Sequence, residues 1–221
     1  MRVVAIDGPA GSGKSTVARG VAAALGLEVL DTGAMYRAVT LLAIDRGLDL
    51  GDGDAIARAA EQAVLDLGDP PGSVRLDGRQ VSGEIRGPAV SAGVSEVSSH
   101  PAVRALLRGR QRAWAEQRSG GVVEGRDIGT VVLTDATLKV FLTASDEERA
   151  RRRHRDEATA ERSADLDAVR GAVDRRDALD HRTTPLEPAP DAVVIDTTGR
   201  EIDDVVKEIV ERFESAVGAE P

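Results

Sequence analysis

Gly8-Pro9-Ala10-Gly11-Ser12-Gly13-Lys14-Ser15 carries the spacing Gly-x-x-x-x-Gly-Lys-Ser, a glycine-framed loop that ends on a cation and a hydroxyl. The apolar run at residues 2–7 before it suits a buried parallel strand, and residues 16–25 after it have helical composition. Gly8, Gly11 and Gly13 permit backbone conformations closed to residues with a Cβ. Successive N–H groups can therefore converge on phosphate oxygens at a helix N-terminus. Lys14 adds a full positive charge at the β/γ-phosphates, and the Ser15 hydroxyl is suited to ligate Mg²⁺. A glycine-rich turn followed by a chance Lys-Ser pair would leave the rest of the pattern unexplained. The stretch is read as a phosphate-binding loop, and the chain as a nucleotide-binding protein.

The 221 residues, 41% of them hydrophobic, are enough for a sizeable core. With no cysteine, the chain has neither disulfides nor a thiol nucleophile, and His100, His154 and His181 lack ligand spacing, so no zinc site is expected. The first residues enter a strand without a signal-like apolar segment. No apolar run approaches the roughly 18 residues of a membrane span, and a soluble, cytoplasmic protein is expected. A formal net charge of −9 disfavours nucleic-acid binding. Arginines nevertheless crowd residues 149–155 and recur at 175, 176 and 182, a basic zone suited to a small, highly charged ligand. A monomer acting on small molecules is expected, without nucleic-acid or membrane partners.

Apolar runs at 2–7, 27–31, 121–124, 138–143 and 192–196 read as buried parallel strands, and residues 16–25, 103–118 and 202–213 as helices. This alternation predicts an α/β fold, a parallel sheet with helices on both faces. Ligands in such sheets bind beyond the carboxyl ends of the strands. Those places hold Asp31-Thr32-Gly33-Ala34-Met35-Tyr36-Arg37 and Gly125-Arg126-Asp127. Between residues 49 and 101, Gly/Pro clusters and alternating segments predict a small antiparallel meander hung on the main sheet, too poor in apolar residues for its own core.

Ser145-Asp146-Glu147-Glu148 reads as a capping box opening a helix on which Arg149, Arg152 and Arg153 share a face. That face is a solvated charged surface, a nucleic-acid patch, which the net charge and the lack of interleaved aromatics disfavour, or a source of positive charge for a phosphoryl group in transfer. Arg37, Arg104, Arg126, Arg176 and Arg182 are candidates for gripping a second phosphate or a base, and each is also readable as a surface arginine. Tyr36 is suited to line a pocket, whereas Trp114 reads as packing. No Gly-x-Ser-x-Gly elbow or carboxylate pair suggests acyl or glycosyl chemistry. The chain has no asparagine, which excludes the Asn-Lys-x-Asp element of switch GTPases. A small-molecule kinase and a non-enzymatic ATP-binding regulator remain.

Five stretches in order resemble the bacterial cytidylate kinases: Ile6-Asp7-Gly8-Pro9 leading into the loop, Asp31 to Arg37, Val81-Ser82-Gly83-Glu84-Ile85-Arg86, Gly125-Arg126-Asp127-Ile128-Gly129-Thr130, and Glu148-Arg149-Ala150-Arg151-Arg152-Arg153. The resemblance implies a P-loop nucleoside monophosphate kinase fold with a five-stranded parallel sheet, a small antiparallel insertion and a mobile lid. It implies one unit over 1–221, with an acceptor-binding part at 34–98 (insertion 64–98), a lid at 146–182 and the remainder as core. The implied reaction is ATP-dependent phosphorylation of CMP and dCMP, in pyrimidine nucleotide metabolism. ATP and Mg²⁺ would be held by Gly8, Pro9, Ala10, Gly11, Ser12, Gly13, Lys14, Ser15 and Thr16, with Ser15 on the metal. Lys14, Arg149, Arg152 and Arg153 would face the transferring phosphoryl group. Thr32, Gly33, Tyr36, Arg37, Ser95, Arg104, Arg126, Asp127, Arg176, Asp180 and Arg182 would face the acceptor. The segment Arg176-Asp177-Ala178-Leu179-Asp180-His181-Arg182-Thr183-Thr184-Pro185-Leu186 departs from the family pattern Arg-Asp-x-x-Asp-x-x-Arg-x-x-x-Pro-Leu by being two residues shorter. Arg176 and Asp180 still align. Asp127 and Arg126 are expected to read the cytosine edge, whose N4 amine donates where uracil O4 accepts.

Overall fold

Strand β1 (Arg2–Asp7) is buried on both faces from Val3 onward, which is why its sequence is an unbroken apolar run instead of an alternating one. It lies at the centre of a sheet with β2 (Val29–Asp31), β6 (Gly120–Glu124), β7 (Leu138–Thr143) and β8 (Val193–Asp196), in the order β2-β6-β1-β7-β8. All four pairings are parallel. The computed structural model describes residues 1–67, 72–159 and 186–218. Each of the five predicted strands is present, β2 starting two residues later than its apolar run.

Val4 and Ile6 point to one face, covered by α1 (Lys14–Leu25) and the last helix, here α7 (Ile202–Gly218). Phe213 and Ile209 are fully buried there, and burial of a side chain of that size contributes about 1.5–3 kcal/mol. Ile202 opens the helix and stays exposed. Val3 and Ala5 point to the other face, covered by α2 (Thr32–Asp45), α4 (Pro88–Ser99) and α5 (Pro101–Gln117). Trp114 packs against that cluster, as predicted, with the Arg118 guanidinium 4.7 Å from its ring centroid.

The region 49–101 differs from its sequence reading in extent. Its antiparallel meander spans only β3 (Leu65–Leu67), β4 (Val74–Leu76) and β5 (Arg79–Gln80), and helices α3 (Gly53–Gln62) and α4 flank it. The Gly/Asp cluster at 51–54 starts α3: the Asp52 carboxylate accepts from the Ala55 amide at 2.9 Å. Pro88 stands in the first turn of α4, where its missing N–H removes no helical bond. Val74, Leu76, Val81, Ile85, Val90 and Val97 join the core cluster that holds Val3, Ala5 and Leu30, so the region shares the main core, as its thin apolar content required. Arg110 ties α5 to the end of α3, its Nη2 donating to the Ala60 and Glu61 carbonyls at 2.8 and 3.2 Å.

Candidate active site

The loop after β1 lies beneath the start of α6 (Asp146–Thr159). Gly8 has φ +148°, and a Cβ there would sit 2.1 Å from the Leu142 carbonyl oxygen; at Gly11, φ +76°, it would sit 2.8 Å from that of Arg149. Only glycine lets this backbone wedge between β7 and α6. Gly13 supplies no side-chain cap, which leaves the first amides of α1 to a ligand. Ser12 Oγ is buried without a partner among the described residues, and Lys14 Nζ donates to the Pro9 carbonyl at 2.7 Å.

Two buried carboxylates, which the sequence reading had absorbed into strand runs, flank the loop. Asp7 at the end of β1 accepts from the amides of Ile128 and Gly129 at 2.8 and 2.7 Å. It thereby fixes the five-residue π-type turn Ile128–Val132 that follows Asp127. Burial pushes its carboxyl up to about 6, although both amide bonds favour the charged form. Glu124 at the end of β6 accepts from Ser15 Oγ at 2.9 Å, and burial, reinforced by the charge of Asp31, raises its carboxyl well above the ordinary range. A polar residue closing an apolar strand, at the carboxyl end of the sheet where ligands bind, was the available signal for both.

The acceptor candidates come together on the far side of Glu124. Thr32 Oγ1 donates to the Glu124 carbonyl at 2.7 Å, and Asp31 caps α2 through the Ala34 amide. Arg37, nearly buried in α2, donates from Nη1 to the Ile85 carbonyl and Ser91 Oγ at 3.2 and 3.1 Å. Burial pushes the Tyr36 hydroxyl above its ordinary value, against the positive charge of Arg104. Asp127 Oδ2 accepts from Arg104 Nη2 at 2.6 Å and from Arg108 Nη2 at 3.0 Å. Arg126 reaches the Gly8 carbonyl at 3.4 Å.

One cavity of about 220 Å³ joins the two halves. Ala10, Gly11, Lys14 and Ser15 line it on the loop side, and Thr32, Gly33, Tyr36, Arg37, Ser95, Arg104, Arg126 and Asp127 on the acceptor side. The structure adds Asp31, Arg86, Ser98 and Glu124 to its wall. Gly8, Pro9, Ser12, Gly13 and Thr16 lie in or next to the loop but do not line it.

Helix α6 turns its arginines in two directions. Arg149, 8% exposed, donates to the Ala10 carbonyl at 3.1 Å and pairs with Asp146 at 2.7 Å. Arg152 donates to the Ser12 carbonyl at 3.4 Å and to Thr197, and pairs with Glu148. Arg151 points outward to Glu147. The face of Arg149 and Arg152 is thus packed on the loop and is not a solvated surface. Only half of the expected capping box forms: the Glu148 amide donates to Ser145 Oγ at 3.3 Å, while the Ser145 amide donates to Thr198 Oγ1. The Arg153 side chain, and Arg176, Asp180 and Arg182, lie outside the described residues. No helix among the described residues is long and apolar enough to cross a membrane.

Residues 4–215 match the family model described as cytidylate kinase. The chain is 54% identical over 200 residues to the cytidylate kinase of Mycobacterium avium (strain 104), covering 89% of this chain and 88% of that one. It is 47% identical to that of Corynebacterium efficiens (strain DSM 44549), covering 97% and 95% of the two chains, and 47% identical to that of Streptomyces griseus subsp. griseus, covering 94% and 90%. Among solved structures, an uncharacterized protein from Eubacterium ventriosum shares the fold with a TM-score of 0.51 at 14% identity, over 97% of this chain and 99% of that one. A family match over nearly the whole sequence, on a chain whose glycine-framed loop and acceptor candidates line one cavity, places it in the cytidylate kinase family, enzymes that transfer a phosphoryl group from ATP to CMP or dCMP.

Proposed function

We propose that the chain carries out this reaction by holding ATP on the loop 8–16 and CMP or dCMP against Thr32, Gly33, Tyr36, Arg37, Ser95, Arg104, Arg126 and Asp127. The observation that carries the proposal is the cavity lined by both Lys14 and Asp127, which gives donor and acceptor phosphates one place to meet. Phosphoryl transfer asks the protein mainly for alignment and charge neutralisation. Lys14 supplies charge at the β/γ-phosphates, and Arg149 and Arg152, already against the loop backbone, supply it where charge develops. Arg153, Arg176, Asp180 and Arg182 keep the roles implied by resemblance, as do the acceptor part 34–98 and the lid 146–182 within one unit.

Mg²⁺ fits the site. Ser15 Oγ and the Glu124 carboxylate are hard oxygen donors 2.9 Å apart beside Lys14, and they are the residues that would hold it. When bound, the ion neutralises charge on the phosphates and orients them. Asp127 reads the base: its Oδ1 carries no hydrogen bond among the described residues and is left to accept from the cytosine N4 amine. An ATP-coupled assay with CMP, dCMP, UMP, AMP and GMP tests the reading. Turnover is expected with CMP and dCMP, and preference for a purine monophosphate would contradict it.

A further inference from the structure

Asp127 is held by two arginines one helical turn apart on α5, and the two differ in their relation to the cavity. Arg104 lines it, but Arg108 does not. Both guanidinium groups nevertheless converge on the same carboxylate oxygen, Oδ2, at 2.6 and 3.0 Å. The Asp127 side chain is 10% exposed, that of Arg104 12% and that of Arg108 34%. One hydrogen bond to a carboxylate leaves rotation about its Cβ–Cγ bond available. Two donors on one oxygen fix that rotation and turn the other oxygen away from them.

Packing does not explain Arg108. Its Nε is buried without a partner among the described residues, and such an orphaned donor costs stability. A leucine at this helical position would carry no such orphaned donor, and a partly buried ion pair is often no better for stability than an apolar replacement. What Arg108 adds is a second charge and a second direction of grip on Asp127.

We propose that Arg108 is a positioning residue for base discrimination, acting through Asp127 Oδ2 to present Oδ1 to the exocyclic amine of the acceptor base. This rests on the reading of Asp127 as the group that meets the base. Arg108 itself touches neither nucleotide.

The test measures kcat and KM for CMP and UMP in wild type, Arg108→Leu, Arg108→Lys and Asp127→Ala, with folding checked by circular dichroism. Arg108→Leu is expected to narrow the CMP/UMP ratio of kcat/KM by roughly 10-fold, through a higher KM for CMP at nearly unchanged kcat. Arg108→Lys, which keeps a donor and the charge, is expected to recover most of the ratio and remains informative if the leucine variant does not fold. If Asp127→Ala collapses the ratio while the Arg108 variants keep it, Asp127 reads the base without help from Arg108 and the proposal is overturned. If Asp127→Ala also keeps the ratio, the base-reading role fails first, and the role of Arg108 with it.

Discussion

Ser15 and Glu124, 109 residues apart in sequence, meet at 2.9 Å, Ser15 Oγ donating to Glu124 Oε2. The contact joins the start of α1 to the end of β6 and sets two oxygen donors beside Lys14. Glu124→Gln keeps the shape but removes the charge. It should raise the Mg²⁺ concentration for half-maximal activity by roughly 10- to 100-fold, since lost carboxylate support at a metal site commonly has that effect. A Mg²⁺ titration of initial rates measures it, and an unshifted midpoint would remove Glu124 from the proposed metal site.

Arg152 spans the loop carbonyl of Ser12 and both oxygens of Thr197. If it supplies charge to the transferring group, Arg152→Ala should lower kcat by roughly 10²-fold or more while changing KM for CMP little. Steady-state kinetics separates the two, and a variant altered only in KM for CMP would move Arg152 to the acceptor.

Asp7 links stability to pH with a defined sign. Its folded-state pKa of about 6 exceeds the ordinary 3.8, so its contribution is largest below 3.8 and is lost as pH rises towards 6. Asp7→Asn does not titrate, and its amide can satisfy only one of the two amides at Ile128 and Gly129 through oxygen. The variant should be less stable than wild type, with the gap closing by on the order of 3 kcal/mol between about pH 4 and about pH 7, at 1.36 kcal/mol per pKa unit. Urea unfolding at both pH values measures the gap; one that widens with pH contradicts the burial of Asp7.

The main sheet was legible because strands buried on both faces leave continuous apolar runs, as in β1 and β7. Helix α3 was not: alanine, glycine and aspartate dominate it, and the Asp52 cap that starts it lies in a cluster that also reads as a turn. The phosphate-binding loop is local and could be read residue by residue. Asp7, Glu124 and Arg108 act through partners 121, 109 and 19 residues away, and no local pattern encodes those pairings. Asp127 stood out in sequence as a polar residue beyond a strand and, through the resemblance, as a reader of the cytosine edge; its grip by α5 is a product of the fold.

The ratio of kcat/KM for CMP to that for UMP, measured in wild type and in Asp127→Ala, tests most directly whether this cleft selects its acceptor by the cytosine edge. A buried polar group left unpaired by the wrong base supports discrimination of roughly 10² or more in wild type. In Asp127→Ala the ratio should fall towards one, mostly through loss with CMP. An equal loss with both nucleotides would contradict the base-reading role and leave Asp127 as an anchor for Arg104 and Arg108.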